Sequence, residues 1–264
     1  MISYNPDYLD NTEIFTDKEI ETLEQLNQKV SLEKFLNNKS YIDKFGLDFI
    51  YTSALIEGNT YDKLDTQALL EYGRTAGGKK YSDAKMILNL RSAYETFITK
   101  ELKPSKEVLK DLHYILSSEM VPENQRAVPR ESEVLITGCN YIPLATKEKL
   151  EDELNYLFKV SNQIKDPFNK ALYIHNNLAY LQYFVDCNKR TARLMLNVVL
   201  KDSLKMLYIP DEESVKAYLK SIVSYYETGN HTLFKKYFMN SYEKVVNMII
   251  EIEQSRVNES RLRE

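Results

Sequence analysis

Gln182–Arg193, QYFVDCNKRTAR, is a short polar stretch between two apolar runs of helical spacing. Leu172, Ile174, Leu178 and Leu181 lead into it, and Leu194 to Leu200 follow it, so two core helices meet at one turn. A turn that opens a helix leaves backbone N–H groups without acceptors, aimed at whatever lies in front of them. Asp186, Asn188, Lys189, Arg190 and Arg193 crowd that place. If the second helix begins near Asn188, Arg190 and Arg193 share a face of its first turns. Cations at a helix N-terminus oppose the macrodipole unless an anion or a carboxylate lies between them. Polyphosphate, with Asp186 as a ligand for its magnesium, meets that condition. The same residues would also serve as a solvated, charged loop between two core helices.

The remaining composition narrows the class. The 264 residues suffice for one large domain or two closely packed ones. Basic and acidic side chains number 35 and 39, net charge −4, and the basic ones are dispersed, which disfavours a general nucleic-acid surface. No window of about 18 apolar residues and no export leader is read, so the expectation is a cytoplasmic protein without a membrane span. Two cysteines far apart, Cys139 and Cys187, form neither a disulfide framework nor a zinc site. Seven glycines, seven prolines and 20 tyrosines fit a mainly helical fold.

Taken in order, Met1 to Phe15 reads as an irregular surface arm, and Thr16 with Glu19 opens a helix as a capping box. Ser31 starts a second, short helix. Asp43 to Glu57 predicts a helix with Leu47, Ile50, Tyr51 and Ala54 on its apolar face; Glu57 falls on that face, and Gly58 and Asn59 end it. A carboxylate at the buried side of a helix C-terminus calls for a cationic partner. Asp65–Gly73 is a further helix, and 74–80 (RTAGGKK) a linker. Helices follow over Ser82–Leu102 and Val108–Met120, the second capped by Ser105. Pro122–Pro143 lacks helical period: Val134, Leu135 and Ile136 are β-prone, the turn lies over Thr137–Asn140, and Tyr141 and Ile142 run back, predicting a small hairpin. Thr146–Ile164 is a helix capped by Thr146, Asp166 and Pro167 start the helix that delivers the signature stretch, and His175 on it reads as a packing and hydrogen-bonding residue. Asp211–Tyr226 and His231–Ile252 close the chain before a charged tail. The domain reading is an N-terminal helical region (1–80), a core (81–246) and a C-terminal helical tail (247–264).

The stretch resembles the Fic family signature HPFxDGNGRxxR, with Phe184, Asp186, Asn188, Arg190 and Arg193 matching. Gln182 stands in place of the histidine, Cys187 of the first glycine and Lys189 of the second; NKRTA also occurs in the Doc-type branch. Ser53–Asn59, SALIEGN, is similar to the family's inhibitory motif [ST]xxxE[GN], and VLITGCNYIPL to its flap. The resemblance implies an all-α fold with one β-hairpin flap, and transfer of AMP from ATP, with Mg, to a hydroxyl of a target protein. It implies Asp186 for the metal, Asn188, Lys189, Arg190 and Arg193 for the nucleotide, and Gln182 with Arg190 in the catalytic positions. It further implies Ser53, Glu57 and Gly58 as the inhibitory element, with Glu57 paired to Arg193, and Val134, Leu135, Ile136, Thr137 and Tyr141 as the edge on which the target docks. A homodimer through the core is a further implication. An amide has no useful pKa near neutrality, so Gln182 cannot act as the base. A weak AMP transferase, a Doc-like phosphotransferase and a non-catalytic nucleotide- or partner-binding relative all remain open at this point.

Overall fold

The computed structural model describes residues 1–261, and side chains through residue 255. A two-residue strand, β1 (Ile2–Ser3), leads through a 3₁₀ turn at Pro6–Asp10 into α1 (Asp17–Asn27). The capping box at Thr16 is formed as predicted, with Glu19 N–H on Thr16 Oγ1 and Thr16 N–H on Glu19 Oε2. Helices α2 (Leu32–Leu36), α3 (Lys39–Ile56), α4 (Lys63–Tyr72), α5 (Tyr81–Thr99) and α6 (Lys106–Leu116) follow. A largely irregular segment containing β2 (Tyr141–Ile142) separates these from α7 (Lys147–Ser161), α8 (Pro167–Leu181), α9 (Asn188–Asp202), α10 (Val215–Thr228) and α11 (Thr232–Arg261). The fold is thus mainly helical, as expected, and α11 continues unbroken past residue 246. The expected C-terminal tail beyond residue 261 lies outside the described residues. No described helix is long and apolar enough to cross a membrane.

Helix α8 is the pivot. Asp166 caps it by accepting the Asn169 N–H, Pro167 occupies its first turn, and every residue from Phe168 to Leu181 except Lys170 is buried. A helix enclosed on all sides belongs to the centre of a core. It packs against α7, α9 and α10, while α3 lies across α5 and α10, and α6 joins α5 to α9. These contacts bring the C-terminal end of α3 to the start of α9. Thr146, by contrast, makes no side-chain cap at α7, which ends at Ser161 rather than Ile164.

Two further expectations are corrected. The N-terminal residues are not a surface arm: Leu9, Ile14 and Phe15 are buried, and the Tyr4 and Tyr8 rings pack on Tyr180 at centroid distances of 4.9 and 5.1 Å. Asn169 Oδ1 accepts the N–H groups of both Ile14 and Phe15, and Tyr173 OH donates to Leu9 O. Polar composition concealed a few apolar anchors spaced along the segment. The predicted hairpin is also absent. Tyr141 and Ile142 pair in parallel with Ile2 and Ser3, Ile2 N–H donating to Asn140 O, and Val134–Ile136 forms no strand. An isolated two-stranded hairpin is marginal, and β1 supplies the partner instead.

His175 and His231 sit in this core as neutral groups. His175 Nδ1 donates to Asn176 Oδ1 (2.8 Å), Asn176 Nδ2 donates to His231 Nδ1 (2.8 Å), and Tyr218 OH donates to His175 Nε2 (3.2 Å). Burial holds both imidazoles down at about 3. The unfolded chain takes up these protons near pH 6.5 and the folded chain does not, so their contribution to stability is complete above that pH and declines as pH falls from 6.5 towards 3. The urea midpoint is expected to drop steadily over that range; a profile flat down to pH 4 would contradict neutral burial. Leu9→Ala is expected to cost about 2 to 5 kcal/mol in urea unfolding, as for other fully buried leucines, whereas an arm on the surface would lose almost nothing.

Candidate functional site

The turn between α8 and α9 is bounded by two residues with left-handed backbone, Gln182 (φ 48°) and Cys187 (φ 63°). Side-chain-bearing residues adopt this region at a cost of order 1 kcal/mol, which explains why a glycine would suit position 187. The turn is held from inside by Asn188. Its Oδ1 accepts Phe184 N–H (2.9 Å), and its Nδ2 donates to Phe184 O (2.8 Å) and to Gln182 Oε1 (3.2 Å). Gln182 Nε2 donates to Ala179 O (2.7 Å) and Tyr226 OH (3.4 Å). Both ends of the Gln182 amide are therefore engaged in the turn itself.

Two further supports were not legible as site residues. His113 on α6 stacks on Phe184 (3.6 Å between centroids), accepts Ala127 N–H at Nδ1 and donates from Nε2 to Asp186 O (3.1 Å). Burial holds it neutral, down at about 4. Its place among Leu109, Leu112 and Leu116 on the buried face of α6 was the available signal. Arg130, buried in the irregular segment, donates from Nε to Gln182 O (2.7 Å), from Nη1 to Ser132 O (2.7 Å) and from Nη2 to Leu144 O. Nothing local in the sequence marks this arginine, because all three of its acceptors are backbone carbonyls.

The cations stand as the spacing predicts at the start of α9. Arg190 is buried, donating to Asp186 Oδ1 (3.2 Å) and lying 3.3 Å from Met120 Sδ. Arg193 is completely buried: Nη1 donates to Tyr218 OH (3.1 Å), and Nη2 to Ser53 O (3.0 Å) and Glu57 Oε1 (2.8 Å). The Nε of each guanidinium has no hydrogen-bond partner. Asp186 also accepts Cys187 N–H (2.5 Å), and its side chain is 54% exposed, open to a ligand in front of the helix. Cys187 itself is inert: burial pushes its thiol up to about 12. Both cysteines are free, with Cys139 beside Glu227 and Cys187 beside Leu116 O.

Glu57 arrives from the other side. It caps α3, and the chain then leaves through a Schellman turn: Gly58 N–H bonds Leu55 O (3.0 Å) and Asn59 N–H bonds Ala54 O (3.1 Å). Gly58 has φ 80°, which is why glycine is needed there, and Asn59 Nδ2 anchors the turn to Asp83 O (2.9 Å) on α5. Burial pushes the Glu57 carboxyl up, but Arg193, then Lys189 and Arg190, more than reverse this and hold it down at about 2. Ser53 contributes its carbonyl oxygen, while its hydroxyl has no partner. The segment expected as a docking edge is divided: Leu135 is 78% exposed, whereas Tyr141 is buried on Tyr180, donates to Tyr180 O, and has its backbone edge taken by β1.

A family model described as the Fic/DOC family matches residues 103–200. Glu57 lies outside that segment. The chain is 30% identical over 167 residues to protein adenylyltransferase fic-1 of Caenorhabditis briggsae, covering 59% of this chain and 32% of that protein. It is 29% identical over 159 residues to protein adenylyltransferase Fic of Nematostella vectensis, covering 57% of this chain and 36% of that protein. The chain thus spans about a third of the length of these relatives. Among solved structures, Fic-1 of Caenorhabditis elegans aligns with TM-score 0.72 at 20% identity over 89% of this chain and 71% of that one. A Fic-domain signalling protein of Bacteroides thetaiotaomicron aligns with TM-score 0.74 at 19% identity over 90% and 97%. Fold, signature turn and family match agree: residues 103–200 match the Fic/DOC family.

Proposed function

We propose that the protein transfers AMP from ATP to a hydroxyl of a target protein and is held in an inhibited state by Glu57. The observation that carries this reading is the ion pair between Glu57 and the buried Arg193, which joins the two motifs at the N-terminus of α9. Removing the carboxylate would leave Arg193 fixed by Ser53 O and Tyr218 OH and facing a helix N-terminus, the arrangement that binds the terminal phosphate of a nucleotide. Magnesium would be held by Asp186 together with the phosphates and would offset their charge. Transfer requires the target oxygen to form a bond to the α-phosphorus while the bond to the pyrophosphate oxygen breaks. Arg190 and the first N–H groups of α9 would stabilise the charge that develops there.

The hydroxyl proton is the weak point. Gln182 cannot accept it, and its amide is already bound to Ala179, Tyr226 and Asn188. This supports a second reading, a relative that binds nucleotide or partner without efficient turnover. Lys189 beside the phosphate position supports the Doc-like alternative, transfer of the terminal phosphoryl group. On the AMP-transfer reading, the target docks on the exposed limb Val134–Thr137.

Intact-mass spectrometry after incubation with ATP and magnesium distinguishes these. Glu57→Gly is expected to gain an adenylyl increment slowly, and Glu57→Gly/Gln182→His to gain it faster by about 10² to 10⁴, the usual worth of a general base. A phosphoryl increment would favour the Doc-like reading. No increment in any form, with ATP bound, would rule out self-modification and favour the binding relative over an enzyme that modifies only other proteins.

A further inference from the structure

We propose that Lys189 is the second half of the Glu57 latch, so that inhibition in this chain is set by two cations. The proposal rests on the reading of Glu57 as the inhibitory carboxylate. Lys189 Nζ lies 3.3 Å from Glu57 Oε2, while Arg193 Nη2 holds Oε1 at 2.8 Å. Each carboxylate oxygen therefore faces its own cation. The two cations are four residues apart and so lie on the same side of α9.

Their surroundings differ in a way that divides the labour. Arg193 is enclosed, and three of its contacts, Ser53 O, Tyr218 OH and the face of the Tyr218 ring 5.5 Å away, are independent of Glu57. It keeps its place whether or not the carboxylate is there. Lys189 carries a side chain 30% exposed on a flexible stem, with Glu57 as its ion-pair partner. It closes over the carboxylate when Glu57 is seated and is released to solvent or to a phosphate when Glu57 leaves. Both helix ends make this arrangement favourable. Glu57 sits at the C-terminus of α3, where its own charge is disfavoured, and Lys189 and Arg193 sit at the N-terminus of α9, where theirs are. A glycine at position 189 would leave Glu57 only the Arg193 contact.

Lys189 consequently has opposite effects on ATP binding in the two states. With Glu57 present it favours the closed form and lowers the fraction of molecules able to bind the terminal phosphate. With Glu57 absent it is a cation free to attract that phosphate. The test is a double-mutant cycle read by calorimetric binding of ATP with magnesium. Lys189→Gln in the otherwise unaltered chain is expected to tighten binding by about two- to five-fold, the worth of a partly exposed ion pair. In the Glu57→Gly background the same change is expected to leave affinity unchanged or weaken it. An equal change in both backgrounds, or weakening in both, would overturn the latch. A second cycle, Glu57→Gln with Lys189→Gln in urea unfolding, needs no nucleotide. Non-additive loss supports the pair, and additive loss refutes it. If no form binds ATP, the proposed function falls while the urea cycle still decides the latch.

Discussion

The arrangement turns on one carboxylate between two helix ends. Three cations, Lys189, Arg190 and Arg193, lie in the first two turns of α9, where the helix dipole opposes them. A fully buried guanidinium without an anion would cost several kcal/mol. Glu57 supplies that anion from the end of α3, a position where its own charge would otherwise be out of place. The same burial that makes an unpaired Arg193 costly makes the paired one immobile. The closed state and a ligand-bound state can therefore share one scaffold: the arginine stays, and the negative charge in front of it changes owner.

The scaffold explains how that place is kept. Asn188, Arg130 and His113 hold the turn mainly through backbone carbonyls and amides, and a network of buried neutral groups, Tyr218, His175, Asn176 and His231, stands behind Arg193. With neutral imidazoles, the network behind Arg193 adds no positive charge that would repel the guanidinium. The left-handed residues Gln182 and Cys187 carry local backbone strain that these contacts offset.

Much of this was legible in the sequence because it is periodic or local. The α8–turn–α9 unit, the Glu57 helix with its Gly58 stop and the caps at Thr16, Ser105 and Asp166 all follow from side-chain spacing and helix-end chemistry. The pairing of Glu57 with Arg193 came from the family resemblance, and the geometry agrees with it. What escaped the reading depends on tertiary partners. Nothing in MISYNPDYLD reveals that β1 will take the edge of Tyr141–Ile142, that Leu9 will be buried, or that Tyr8 will pack on Tyr180 of α8 and Tyr225 of α10. Arg130 reads as one more charged residue in a loop because its acceptors are backbone carbonyls, of which those of Leu144 and Gln182 are brought to it only by the fold. Lys189 reads in the sequence only as a nucleotide ligand, since its contact with Glu57 spans more than a hundred residues.

The central claim is that Glu57 occupies the place of the terminal phosphate, and the most direct measurement is the ratio of ATP to ADP affinity with and without that carboxylate. Calorimetric titration of the unaltered chain is expected to give nearly equal affinities for the two nucleotides, because the third phosphate finds no free cation. In Glu57→Gly, ATP is expected to bind tighter than ADP by about tenfold or more, as one or two charge-assisted contacts form. A strong preference for ATP while Glu57 is present, or a ratio that does not change when it is removed, would contradict the account.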